Sequence, residues 1–131
     1  MDAVPRNSRP HAAPVVRSVL MAAVLCFAAS PCWAHAFPDH SDPRVGHTID
    51  APPPSVRIWF DGEIEPVFSS IRVEDDNKRQ VDKGDPRVNP RDNTLLEVNL
   101  PPLPSGRYQV FWSVVARDGH RTEGHFPFHI K

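Results

Sequence analysis

Beyond residue 32 the chain contains neither cysteine nor methionine. The missing cysteines exclude disulfides there, so a domain in that part must be held by its core alone. The missing methionines, with the missing cysteines, leave no soft sulfur side chain there for a metal. No run of 18 or more apolar residues occurs, which argues against a transmembrane helix. Charge of one sign is lacking too: the net charge is −1, which gives no electrostatic pull toward nucleic acid. Sustained 3.6-residue periodicity is absent, so the chain is not expected to be helical.

What is present falls into two unequal parts. Arg6, Arg9 and Arg17 precede an apolar run from Val19 to Ala29, followed by Ser30-Pro31-Cys32-Trp33-Ala34. A basic start, a short apolar core and small residues before a cut describe a secretory signal peptide. Its expected extent is residues 1–34, with cleavage between Ala34 and His35. Leu25 and Pro31 precede the two cysteines where a lipoprotein signal needs a small residue, so that use of a cysteine is rejected. The domain proper is then residues 35–131. It carries 12 Lys and Arg against 15 Asp and Glu, a net −3 that favours neither DNA nor an anionic membrane.

Within that domain, short alternating runs recur between proline and glycine breaks. Pro38 and Pro43 keep the opening extended. A turn is expected around Gly46 between Arg44 and Asp50, and Ala51 to Pro54 is a stiff connector. Val56, Ile58 and Phe60 share one face of a strand from Ser55 to Asp61. Phe68 to Val73 reads as a second strand, Arg79 to Pro90 as loop, and Thr94 to Leu100 as a third strand. The clearest strand begins at Arg107. Tyr108, Val110, Trp112 and Val114 lie on one face, Gln109, Phe111, Ser113 and Val115 on the other, and both faces are expected to be covered. A last strand carries Phe126, Phe128 and Ile130, with His125 and His129 opposite. The predicted fold is all-β, a small Greek-key barrel or sandwich. Trp59, Trp112, Phe60, Phe111, Phe126, Phe128 and Tyr108 are the bulk available for its core.

The long strand stops at Asp118-Gly119, a strong turn dipeptide, and His120 follows at once. Asp118 and His120 are two apart, so in an extended or gently bent backbone both side chains leave on one side. A carboxylate and an imidazole at the end of a rigid strand make half of a metal site. Six histidines lie in the domain, at 35, 40, 47, 120, 125 and 129. His35 stands apart because of the expected cut. As the first residue it offers its α-amine and its ring Nδ1, which close one chelate ring on a metal. With Asp118 and His120 the set is three nitrogens and one oxygen, which suits Cu(II). His40 is five residues past His35, near enough in sequence to be an alternative ligand, but Pro38 stiffens the chain between them and the preferred reading leaves it outside the set. His47 and His129 are read as surface positions, and so is His125, whose alternative role is a donor behind the ligands. Glu63 and Glu65 are read as solvated.

Several short stretches in order carry a family likeness. They are His35-Ala36, Ser41-Asp42-Pro43, Glu65-Pro66-Val67-Phe68-Ser69, Leu100-Pro101-Pro102-Leu103, Gly106-Arg107-Tyr108, Trp112-Ser113-Val114-Val115 and Asp118-Gly119-His120. Together they resemble the CopC family of periplasmic copper-binding proteins over nearly all of residues 35–131. The resemblance implies an immunoglobulin- or cupredoxin-like β-barrel, bound Cu(II), and a role in copper resistance or supply. It also implies a ligand set of His35 with its amine, Asp118 and His120. Some members hold Cu(I) in a Met-rich loop. The matching stretch here, 76–93, has no Met, so Cu(II) is the expected cargo.

The resulting expectation is a periplasmic copper carrier or buffer, not an enzyme. Its partners are the copper ion and another periplasmic or membrane copper-handling protein. The competing reading is a copper-dependent oxidative enzyme, because an N-terminal His paired with a second His also forms the copper brace of polysaccharide monooxygenases. Two things weigh against it: the domain has little room for a flat sugar-binding face, and Asp118 is an anionic ligand that favours Cu(II). A plain structural module would leave unexplained why the cut and the Asp-Gly-His turn coincide.

Overall fold

The computed structural model describes residues 35–131. The expected signal peptide, 1–34, lies outside the described residues. Eight strands follow in order: β1 Pro38–Asp42, β2 Thr48–Ile49, β3 Ser55–Phe60, β4 Ser70–Asp75, β5 Arg87–Asn89, β6 Asp92–Asn99, β7 Gly106–Val115 and β8 Arg121–Ile130. They form two four-stranded sheets, ordered β1-β3-β6-β5 and β2-β8-β7-β4. The chain passes from one sheet to the other after β1, β2, β3, β4 and β6, so the two sheets are woven together. This is the all-β sandwich that the alternating pattern calls for.

The inner faces supply the core. Val56, Ile58, Leu96, Val98, Val73, Val110, Val114 and Phe128 have no exposed surface. They come from β3, β4, β6, β7 and β8, and each sits at the strand period of two. Tyr108 stacks on Phe128 with centroids 5.3 Å apart, and its hydroxyl donates to the Pro104 carbonyl at 2.6 Å. That hydrogen bond lets a phenol be buried without leaving its polar end unpaired. Trp112 lies across the backbone of β8 at its cross-strand partner Gly124. A Cβ at Gly124 would come 2.7 Å from Trp112 Cζ2, so the indole occupies the space that any larger residue would need.

Four features differ from the sequence reading. Phe68 lies in a 3-10 turn, Pro66–Phe68, and the strand starts only at Ser70. Part of the expected loop 79–90 is strand β5, too short for alternation to reveal it. The expected turn of 44–50 ends in β2, which pairs parallel with the end of β8. Finally, Trp59 and Phe111 are not core residues. They stand on outward faces, where Trp59 stacks on His40 and Phe111 carries Arg72 over its ring at 4.4 Å. Ring faces covered by cations and imidazoles can stay half-exposed.

The register decides where chemistry can sit. β7 and β8 pair without interruption from Gly106↔Ile130 to Val115↔Arg121. β1 starts opposite the end of β3, at Pro38↔Phe60. The start of β1, the end of β3 and the β7–β8 turn therefore meet at one end of the sandwich, because Ile64, just past β3, bridges Ala116.

Candidate metal centre

The turn at that end is tightly bonded. The Ala116 N–H donates to the His120 carbonyl at 2.9 Å, and the Gly119 N–H donates to the Ala116 carbonyl at 2.9 Å. Gly119 has φ of +87°, a value L side chains resist, which is why glycine follows Asp118. The loop after β3 braces the turn. Glu65 N–H donates to Val115 C=O at 2.7 Å, Arg117 N–H donates to Glu63 C=O at 3.3 Å, and Arg117 pairs with Glu63 at 2.8 Å. Glu63, read from sequence as solvated, thus has a partner, although both side chains remain about half exposed.

Asp118 is aimed by its own backbone. Its Oδ1 accepts the His120 N–H at 3.0 Å. That bond is the main cause holding its carboxyl below the usual value; desolvation acts against it, and the His120 and His35 rings add to it. Its other oxygen, Oδ2, lies 3.0 Å from His120 Nδ1 and 3.4 Å from His35 Nδ1. The two imidazoles meet edge to face, 4.6 Å between centroids. His35, Asp118 and His120 bring one ligand atom each to within 4.8 Å of one another, as no other His, Cys, Asp or Glu cluster does among the described residues. Donors held around one first-row ion at roughly 2 Å each lie roughly 3–4 Å apart, so this spacing fits a metal. His120 is the open side, with 65% of its side chain exposed, against 25% for His35 and 23% for Asp118.

The structure thus brings together the three residues singled out from sequence, though by a tight turn and not by an extended backbone. The other histidines stay away from the cluster. His40 Nδ1 is 2.8 Å from Asp39 and its ring stacks on Trp59. His125 lies against Phe111. His129 pairs with Arg107 at the opposite end of β8.

Two residues that sequence reading passes over bond the segment after His35. The Thr122 hydroxyl donates to the Ala36 carbonyl at 2.7 Å. The Phe37 N–H donates to Asp61 Oδ1 at 2.7 Å, and the Asp61 N–H donates back to the Phe37 carbonyl at 2.9 Å. Nothing local in the sequence marks either residue, since their partners are 86 and 24 residues away.

A family model described as the CopC domain matches residues 39–131. The chain belongs to the CopC family. The match takes in Asp118 and His120 and begins just after His35. Protein YobA of Escherichia coli K12 is 32% identical over 100 residues, covering 76% of this chain and 81% of YobA. The copper transport protein CutJ of Bacillus subtilis is 28% identical over 113 residues, 86% of this chain but 21% of CutJ. Among solved structures, CopC from Methylosinus trichosporium OB3b superimposes with a TM-score of 0.66 at 30% identity, over 74% of this chain and 94% of that one. PcoC, a methionine-rich copper resistance protein from Escherichia coli, gives 0.63 at 25% identity, over 75% and 100%. In contrast to that description, residues 35–131 here contain no methionine.

Proposed function

We propose that residues 35–131 form an exported Cu(II)-binding domain, a periplasmic carrier or buffer in copper resistance or transport, without substrate turnover. Residues 1–34 are the signal peptide that is removed to create the site. Cu(II) is held by the His35 α-amine and Nδ1, one Asp118 oxygen, and a His120 nitrogen. Membership of the CopC family supports copper as the cargo. The observation that carries the ligand set is the convergence of His35 Nδ1, from the start of the domain, on the Asp118–His120 turn. Nδ1 is the ring nitrogen that closes a chelate with the residue's own amine, and it is the one facing Asp118. Nitrogen and carboxylate donors without sulfur favour Cu(II) over Cu(I). The exposed edge of His120 leaves a side from which a second copper-handling protein reaches the ion.

The test is a pair of proteins, one beginning at His35 and one keeping an initiator Met before it. The extra residue turns the amine into an amide, a poor ligand until it loses its proton. Both are expected to fold alike by circular dichroism. The extended form loses one nitrogen donor in its Cu(II) paramagnetic resonance spectrum and binds at least about 10-fold more weakly. Equal affinity and equal spectra would remove the amine from the ligand set.

A further inference from the structure

We propose that Asp61 and Thr122 are positioning residues for copper: they fix the backbone after His35 so that Cu(II) turns to Asp118 and His120 and not to the chain's own amide nitrogens. This rests on the ligand set proposed above.

The need for such a device comes from copper chemistry. Cu(II) favours tetragonal nitrogen sites. On a loose peptide whose first residue carries an amine, it strips protons from the next backbone amides and takes those nitrogens in sequence. Each amide taken releases one proton to water and fills a place that a side chain would hold. A freely moving His35-Ala36-Phe37 segment would therefore compete with Asp118 and His120 for the same ion.

Here that segment does not move freely. Ala36 has no exposed surface, and its carbonyl accepts the Thr122 hydroxyl at 2.7 Å. Phe37 has both backbone groups bonded to one residue: its N–H to Asp61 Oδ1 at 2.7 Å and its C=O to the Asp61 N–H at 2.9 Å. Pro38, next in line, has no N–H to offer. To use the Ala36 nitrogen, copper would have to enter a buried position. To use the Phe37 nitrogen, it would have to take the proton that Asp61 holds. The clamp also comes from the same neighbourhood as the ligands: Asp61 follows the end of β3, and Thr122 is two residues past His120. It aligns the His35 ring with Asp118 before any metal arrives, so less ordering remains to be done on binding.

The experiment compares Thr122→Val and Asp61→Ala with the conservative forms Thr122→Ser and Asp61→Asn, which keep a hydroxyl donor and an oxygen acceptor. All begin at His35, and His120→Ala is carried in parallel. Without metal, amide hydrogen exchange at Phe37 should quicken in Asp61→Ala and recover in Asp61→Asn. With Cu(II) alone as the probe, Thr122→Val and Asp61→Ala should lose about 10–100-fold in affinity, the range for residues that orient ligands. Their visible absorption band should also move to higher energy as pH rises from neutral to mildly alkaline, as amide nitrogen replaces the Asp118 oxygen. Wild type, Thr122→Ser and Asp61→Asn should hold one spectrum over that range. If Thr122→Val, folded by circular dichroism, keeps wild-type affinity and a pH-independent spectrum while His120→Ala loses copper, the clamp is refuted and the site stands. If His120→Ala binds like wild type, the ligand set falls and this inference with it. Should Asp61→Ala fail to fold, the removal of one hydroxyl in Thr122→Val decides the matter.

Discussion

Two turns at opposite ends of one sheet share a backbone and differ in use. At the 116–120 turn, the N–H of Ala116 bonds the carbonyl of His120 and the N–H of Gly119 bonds the carbonyl of Ala116. At the 75–79 turn, the N–H of Asp75 bonds the carbonyl of Arg79 and the N–H of Lys78 bonds the carbonyl of Asp75. The fourth residue is left-handed in both, Gly119 at +87° and Lys78 at +60°. The aspartate sits third in one turn and first in the other, yet in both it accepts the N–H of the fifth residue. What differs is the side chain at that fifth position. Arg79 donates back to Asp75 at 3.0 Å, and a permanent cation satisfies the carboxylate. His120 offers a nitrogen lone pair in place of a fixed charge, and His35 arrives from elsewhere as the second imidazole. The same local fold thus gives a closed ion pair at one end of the sheet and an open cluster of one carboxylate and two imidazoles at the other. The choice depends on one residue and on what lies opposite.

That comparison can be broken most directly by making the turns alike. His120→Arg places a guanidinium where Arg79 stands in the other turn. It should pair with Asp118, leave the fold intact, and abolish tight Cu(II) binding; the loss is at least about 100-fold, at or beyond that of His120→Ala or Asp118→Ala. Asp75→Ala and His129→Ala, both at the far end, should leave copper affinity unchanged. Competition titration with a Cu(II) chelator reads all five. A loss in His129→Ala equal to that in His120→Ala would show the wrong histidine was chosen.

A smaller effect separates the fourth residues. Gly119→Ala meets no atom within 4 Å, so its cost is conformational, about 1–2 kcal/mol for a left-handed L residue. Lys78→Gly relieves the same strain but loosens the unfolded chain, for a net gain of less than about 1 kcal/mol. Denaturant midpoints of the metal-free proteins check both signs. If Gly119→Ala is neutral, the left-handed turn is not a constraint on the site.

The smallest effect is one the two turns should share. The first cause of each lowered carboxyl is a backbone N–H of the fifth residue, Arg79 for Asp75 and His120 for Asp118. A depressed carboxyl contributes stability that is complete above its unfolded value, about 3.9, and is lost as pH falls through the folded value. Melting temperature of the metal-free domain should therefore decline below about pH 4, and less steeply in Asp75→Ala and in Asp118→Ala. An unchanged acid limb in both variants would mean the turns are not coupled to folding.

How much of this could be read from the chain followed the range of each interaction. β7 is long, alternates cleanly and was legible; of β8, Arg121–Ile130, only the half from His125 onward was. β5 has three residues and was not. Phe111 and Trp59 looked like core because alternation marks two faces without saying which is covered. The outward placement of Phe111 depends on Arg72 and His125, contributed by neighbouring strands. In the site, Asp118 and His120 were visible because one turn holds both, and His35 because the expected cut gave it a second nitrogen. Asp61 and Thr122 were not, since a hydrogen bond spanning 86 residues leaves no mark on local pattern.

The buried alanine behind His35 bears on how long such a protein lasts. Enzymes that trim chains from the amino end need the first few residues loose, and termini escape them when tied down. In a chain that starts at His35, only one residue lies ahead of the Thr122 and Asp61 bonds, too short a handle to be drawn into a protease cleft. The fold therefore shelters the peptide bond behind the one residue on which the proposed site depends, and it does so without a disulfide.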